Sequence, residues 1–303
     1  SQDELLTALD ESRLMNVAVG RESVWTQWKQ RGEQLVLREN GLPQGQLSLD
    51  LSIAPESGAE LLAGTLPLCV HPRAEHVLVV GLGSGGTMRS GLEHPIQSLP
   101  CWEPDADLIT LVQNTIRGPQ AMLLDDPRFT VTHCNPVLAS ATKPGQRYDV
   151  IILNERQMAA WRTLGQRPVE AYRRWRTLLG PEGLLCQRLE FVDLGTEPLF
   201  ERIRTLSAVF PQVVIWESAP GEVLLLASPR EETLFDDQLA ARFETPQARR
   251  LLARVGWDCS LPLGLATVSG RDLLEIAPTQ GRVSTIANAA SDYSVTWEMS
   301  RHT

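Results

Sequence analysis

The chain has 303 residues, 43% hydrophobic and 21% charged, with 28 Lys+Arg against 37 Asp+Glu. This composition excludes a disordered, collagenous or coiled-coil protein. The formal net charge of -9 disfavours nonspecific attraction to phosphate backbones or anionic lipid, and no local basic patch stands out, so no nucleic-acid partner is expected.

Leu5, Leu6, Leu9 and Leu14 recur at helical spacing, which predicts an amphipathic helix over residues 1 to about 20. From Glu22 to Ile53 the pattern changes to alternation, with Leu35-Val36-Leu37 and Leu47, Leu49, Leu51 and Ile53 as strand residues. Asn40-Gly41 and Gln44-Gly45 supply turns, so this stretch reads as a small antiparallel β unit. A short helix begins at Glu60-Leu61-Leu62-Ala63 and is expected to stop near Leu66-Pro67. Beyond His76, strands at Val77–Val80, Leu99–Trp102, Phe129–Val131, Val150–Leu153 and Leu184–Cys186 alternate with helices at Met88–Leu92, Asp107–Ile116, Val169–Leu179 and Pro198–Phe210. Val213–Trp216 and Val223–Leu226, around Pro220-Gly221, read as a terminal antiparallel hairpin. Such alternation predicts an α/β fold with a doubly wound, mainly parallel sheet. After Pro229 the chain reads as amphipathic helix through Val255, and the last fifty residues as irregular. The predicted units are residues 1–70, an N-terminal helix with the small β domain; 71–230, the doubly wound domain; and 231–303, a C-terminal helical extension.

Cys69, Cys101, Cys134, Cys186 and Cys259 are widely spaced, odd in number and mostly within apolar runs. They read as reduced, buried thiols, which implies a cytoplasmic protein. The five histidines form no ligand spacing and no CxxC exists, so no metal is expected. No apolar run approaches the roughly 20 residues that span a bilayer. The sequence opens on Ser1 rather than Met, which reads as a trimmed chain and leaves an upstream targeting or membrane segment open.

The segment Val79-Val80-Gly81-Leu82-Gly83-Ser84-Gly85-Gly86 sets glycines after a buried strand and before a helix. Missing Cβ atoms there permit a tight turn and let a ligand reach helix-terminal N–H groups. A plain βα turn has the same pattern. Glu103 lies 22 residues after Gly81, at the end of the second strand, where a carboxylate can accept from both ribose hydroxyls. Together they point to a nucleoside ligand, with dinucleotide and S-adenosylmethionine sites left open by the spacing.

Val77 through Gly86, then His94-Pro95 and Trp102-Glu103-Pro104-Asp105, resemble the polyamine aminopropyltransferases, the spermidine synthases, and above all their bacterial spermidine-synthase-like relatives, often fused to membrane segments. Asn40-Gly41-Leu42-Pro43-Gln44 resembles the family's N-terminal hairpin ending in Gln, and Leu66-Pro67-Leu68 with His71-Pro72 its leucine-proline helix. Asp126-Pro127-Arg128-Phe129, Tyr148 to Ile152 and Leu179 to Gln187 resemble later landmarks, so the likeness runs over roughly residues 22 to 230. It implies a small β domain beside a Rossmann-like, class I methyltransferase-type domain, a homodimer, and S-adenosylmethionine or its decarboxylated form as ligand. Gly81, Gly83, Ser84 and Gly85 would line the methionine-derived portion, Gln44 would reach the same region, and Glu103 would hold the ribose.

The sequence departs from that family where the chemistry lies. The catalytic-acid position after Tyr148 to Leu153 is Asn154, and an amide cannot take a proton from the attacking amine. The acid expected after the third strand, which helps hold the adenine amino group, is Asn135, which can still accept through its carbonyl oxygen. Glu155 is the substitute acid to hand, or else a solvated loop residue. Arg156, Arg162, Arg167, Arg173, Arg174 and Arg176, interleaved with Trp161, Tyr172 and Trp175, form a basic stretch where relatives close over the acceptor. It reads either as an exposed helical face or as a gate that repels polyamines and suits an anionic acceptor. Three readings follow: an atypical or inactive spermidine-synthase-like protein, a pseudoenzyme with an adenosyl-ligand pocket; an active transferase on another acceptor; and a non-catalytic interaction module.

Overall fold

A computed structural model describes residues 12–20, 23–48, 58–115, 125–142, 145–154, 168–190, 197–219, 221–269, 272, 275 and 283–287. The chain first builds a four-stranded antiparallel sheet in the order β1 (Arg13–Val19), β2 (Val24–Gln30), β3 (Gln34–Glu39), β4 (Leu42–Ser48). The helix expected over the first twenty residues is therefore corrected where it is described: Leu14 lies on β1, opposite Trp28. Residues 15–19 follow a period of two, with Asn16 and Ala18 partly buried and Met15, Val17 and Val19 exposed, and β2 takes the backbone groups of β1. Leu5, Leu6 and Leu9, like Leu49, Leu51 and Ile53, lie outside the described residues.

Asn40 and Gly41 make the tight β3–β4 turn with φ of 49° and 86°, the left-handed pair that such a turn needs. Gln44-Gly45 is not a turn. Leu37 pairs with Gly45 and Arg38 with Pro43, leaving Gln44 as the extra residue of a β-bulge inside β4. A bulge re-aims its side chain, and Gln44 is buried.

The second sheet has eight strands: β5 (Val77–Val80), β6 (Leu99–Glu103), β7 (Phe129–His133), β8 (Tyr148–Leu153), β9 (Leu179–Glu190), β10 (Gln212–Ala219), β11 (Glu222–Ser228) and β12 (Ala266–Ser269). Their order is β12-β10-β11-β9-β8-β5-β6-β7. Strands β7, β6, β5, β8 and β9 are parallel, and the expected hairpin β10–β11 is added antiparallel to β9. This is the doubly wound α/β sheet with a terminal hairpin behind an antiparallel β domain. β12 comes from the stretch expected to be irregular; four residues are too short for a periodic signal, and pairing with β10 defines the strand.

The helices are α1 (Ala59–Val70), α2 (Gly86–Leu92), α3 (Ala106–Thr115), α4 (Pro136–Thr142), α5 (Val169–Leu178), α6 (Glu197–Ser207), α7 (Leu239–Phe243), α8 (Pro246–Arg254) and α9 (Leu261–Leu265). Alternate residues of β5 face opposite layers. Val77 and Val79 belong to the same core as Leu62 and Leu66 of α1, while Leu78 and Val80 belong to that of Tyr172 of α5 and Ile203 of α6. α1 runs through Pro67 instead of ending there. All twelve of its residues are buried, and Arg242 donates to the terminal carbonyls of Cys69 at 2.6 Å and Val70 at 3.1 Å. The long helix expected after Pro229 is split at Thr245, whose hydroxyl accepts from the Ala248 N–H at the start of α8. Phe243, Leu251 and Leu252 of α7 and α8 belong to the same core as α1.

Two polar anchors lock the frame. The Trp25 indole donates to Asp105 Oδ2 at 2.7 Å and ties the small sheet to the start of α3, which Asp105 Oδ1 caps through Asp107 and Leu108. Arg128 is gripped by Asp126 and donates to the carbonyls of Leu92, His94 and Ile96 at the end of α2. Arg128→Ala should therefore cost about 1.5–3 kcal/mol, the scale of hydrogen bonds to a charged group, read as a lower urea midpoint with an unchanged slope.

Burial pushes the His94 imidazole down to about 4, against the pull of Glu93, and also lowers His71. Between pH 6.5 and that value the unfolded chain binds protons that the native chain refuses, so this part of the stability is present above pH 6.5 and is lost as the pH falls towards 4. The unfolding free energy should drop by up to about 1.4 kcal/mol per pH unit for each such group. His94→Gln should flatten the slope measured by denaturant titration across that window.

Candidate functional site

β5 delivers the chain into Gly81–Gly86, where Gly81, Gly83 and Gly85 take φ of 96°, 54° and 94°, conformations closed to most side chains. The neighbouring strand β6 ends on Glu103, which is 1% exposed. Its Oε2 accepts from the Leu82 N–H at 2.7 Å and its Oε1 from the Asp105 N–H at 2.9 Å. The predicted acid thus faces the predicted glycine loop, and two backbone donors fix its orientation.

The residue that sequence reasoning missed is Glu60, on the first turn of α1 and 2% exposed. Its Oε1 accepts from the Ser84 N–H at 3.1 Å, and its Oε2 accepts from the Ser84 hydroxyl. Three glycines leave the space it fills. A Cβ on Gly45 would stand 2.8 Å from its Oε1, one on Gly86 3.0 Å from its Oε2, and one on Gly83 closer still to Oε1. Part of the glycine pattern therefore makes room for a buried carboxylate of the protein itself. Burial raises the Glu60 pKa, while Arg188, Ser84 and Asn154 pull it back in part. A glutamate at the start of a helix ordinarily faces water, so nothing in the local sequence marked it.

Asn154 is 4% exposed and bound into the same junction. Its N–H donates to Val80 O at 2.8 Å, its Nδ2 to Gly81 O at 3.3 Å, and its Oδ1 accepts from the Thr87 hydroxyl at 2.9 Å. Its side chain also hydrogen-bonds Glu60. Arg188, 1% exposed, enters from β9 one residue beyond Gln187, the partner of Leu153. Its Nε pairs with Glu222, and its Nη1 stands 3.8 Å from Glu60 Oε1. Burial alone would lower the guanidinium pKa; Glu222 and Glu60 outweigh it and raise it.

Gln44 Nε2 donates to Glu39 Oε2 at 3.1 Å, and the next residue, Gly45, abuts Glu60, so β4 reaches the glycine loop. Asn135 follows β7, adjacent to the end of β6, where the Cys134 N–H meets Glu103 O at 3.0 Å. The Asn135 carbonyl oxygen is already engaged: it accepts from Val137 and Leu138 N–H at 3.0 and 3.1 Å as the cap of α4, a role its Asn-Pro sequence could have signalled. Glu155, Trp161 and Arg156 through Arg167 lie outside the described residues. Of the basic stretch beyond them, Arg173, Arg174 and Arg176 are exposed while Tyr172 and Trp175 are in the core. The described half is a helical face with its aromatics turned inward.

The spermine/spermidine synthase domain model matches residues 58–218. Polyamine aminopropyltransferases are similar over shorter stretches. That of Shigella sonnei is 27% identical over 161 residues, 51% of this chain and 53% of the relative, and that of Bacillus subtilis 37% identical over 90 residues, 29% and 32%. The aligned region is thus about half or less of those relatives' length. Among solved structures, spermidine synthase in complex with the transition-state analogue AdoDATO superposes with a TM-score of 0.69 at 18% identity, over 87% of both chains. The Thermotoga maritima spermidine synthase gives 0.66 at 17%, again over 87% of both. Solved structures so remote in sequence speak for the fold alone, but the domain match spans more than half of the chain, and with it the chain belongs to the spermine/spermidine synthase family.

Proposed function

We propose that this protein binds an adenosyl ligand, S-adenosylmethionine or its decarboxylated form, at the C-terminal ends of β5 and β6, and that it forms little or no spermidine from putrescine. The observation that carries the binding half is Glu103, buried at the end of β6 and tied to Leu82 N–H of the glycine loop. A carboxylate has about four acceptor sites, so one that is already oriented by backbone donors suits a pair of ribose hydroxyls. Gly81, Gly83, Ser84 and Gly85 would face the methionine-derived portion with Gln44 beside it, and Asn135 would stand near the adenine. Cys69, Cys101 and Cys186 are buried free thiols, which supports a reducing, cytoplasmic setting. Family membership supports a homodimer.

The second half rests on position 154. Aminopropyl transfer needs a proton taken from the attacking nitrogen as its lone pair displaces the sulfonium sulfur. The Asn154 amide cannot accept that proton, and its hydrogen bonds to Gly81 and Thr87 give it a structural task instead. The carboxylate beside it, Glu60, is held by Ser84 and Asn154 on the loop side.

Glu103→Ala should weaken binding of either adenosyl ligand by about 1.5–3 kcal/mol in calorimetry; equal affinity in the variant would take Glu103 out of the ribose subsite, and no binding by the wild type would favour the interaction-module reading. With decarboxylated S-adenosylmethionine and putrescine, methylthioadenosine release should fall roughly 10²- to 10⁴-fold short of a competent enzyme, the usual cost of a missing general base. Turnover near 1 s⁻¹ or above, an ordinary enzymatic rate, would overturn the inactive reading. Asn154→Asp then supplies the acid. Because Glu60 lies within hydrogen-bond reach, the two carboxyls would share a proton at neutral pH, and any recovered rate should rise with pH as the pair ionises.

A further inference from the structure

We propose that Glu60 and Arg188 together receive the α-ammonium and α-carboxylate of intact S-adenosylmethionine, so that the site takes this ligand in preference to the decarboxylated form. The inference rests on the adenosyl-ligand reading above and adds which of the two ligands the chain accepts.

The geometry begins at the loop. Glu60 Oε1 accepts from the Ser84 N–H on one side and stands 3.8 Å from Arg188 Nη1 on the other. That separation exceeds a hydrogen bond, and among the described residues Nη1 has no hydrogen-bond partner at all. The guanidinium is 1% exposed, and its Nε is spent on Glu222. A buried donor left unmet costs about 1–3 kcal/mol, more when charged. Arginine cannot relieve the cost by giving up its proton. The side chain is therefore a charged N–H held out of water, beside the end of β8 where Asn154 lies, with no hydrogen-bond acceptor for Nη1 among the described residues.

An α-amino acid headgroup carries an ammonium and a carboxylate on one carbon. Set beside the loop, its ammonium answers the Glu60 carboxylate and its carboxylate supplies the oxygen that Nη1 lacks. Decarboxylated S-adenosylmethionine presents only the amine and leaves the guanidinium unmet. Glu60 alone would favour the purely cationic tail by charge; Arg188, buried next to it, reverses that order because a hydrogen bond between two charged groups shielded from water is the stronger contact. Methylthioadenosine, which lacks the whole tail, reports the nucleoside subsite by itself.

The test is calorimetry with three ligands: S-adenosylmethionine, its decarboxylated form, and methylthioadenosine. The wild type should bind S-adenosylmethionine about tenfold or more tighter than the decarboxylated form, the size of one hydrogen bond to a charged group. Arg188→Gln combined with Glu222→Gln, which avoids stranding the Glu222 carboxylate, should bring that ratio to about one while methylthioadenosine affinity stays within roughly twofold. Arg188→Lys, which keeps the charge, should recover part of the preference whether or not the double variant folds. Methylthioadenosine binding with no preference for S-adenosylmethionine, or a preference that survives the double variant, overturns this inference and leaves the adenosyl reading standing. That result would mean that water alone answers Nη1. Failure of all three ligands to bind overturns the adenosyl reading and this inference with it.

Discussion

Glu60 places a carboxylate, almost wholly removed from water, at the meeting point of both sheets. Removing an ion from solvent costs several kcal/mol unless hydrogen bonds and an opposite charge replace the water, and here each replacement comes from a different element. Ser84 answers from the glycine loop, Asn154 from the end of β8, Arg188 from β9, and Gly45 of β4 leaves the room. No one of these elements can shift without exposing a charge or crowding an oxygen. The loop that would cradle a ligand is thereby fixed in place by the protein's own acid.

The same demand explains how α1 is held. A helix carrying such a residue on its first turn must be held firmly along its length, yet Pro67 lacks an N–H and interrupts its hydrogen bonding near the far end. Arg242 secures that end by donating to the last carbonyls of the helix, those of Cys69 and Val70, and Arg250 and Arg254 grip Glu93 at the end of α2. The segment after Pro229 therefore braces the two helices that flank the glycine loop. It contributes to the site by holding these helices.

Four side chains divide the work within the proposed site. Glu103 is oriented by backbone donors and remains a ribose acceptor in the proposed complex; Glu60 is spent on structure and, with Arg188, on the ligand's tail. Asn154 joins β5, α2 and α1 through hydrogen bonds that an amide makes in both senses at once, as donor to Gly81 and acceptor from Thr87. An ionised aspartate at that position could not donate to the Gly81 carbonyl. In the proposed reading, the residue that leaves the site without a base thus also completes a junction.

Much of this was written in local sequence. The apolar run Val77–Val80, the glycines that follow and Glu103 twenty-two residues later define the crossover and its acid, because strand burial, positive φ and loop length are properties of short stretches of chain. Asn40-Gly41 fixed its own turn for the same reason. Gln44-Gly45, equally turn-like in composition, became a bulge because β3 dictated the register. Leu14 joined a strand because β2 supplied its partners, and α1 ran past Pro67 to Val70, where Arg242 from far along the chain meets its last carbonyls. Glu60 and Arg188 were invisible on similar grounds. A charged residue in a helix or strand has no periodic signature that distinguishes burial from exposure; only the convergence of α1, β9 and the glycine loop decided that these two would meet out of water, where the electrostatics of each depends on the other.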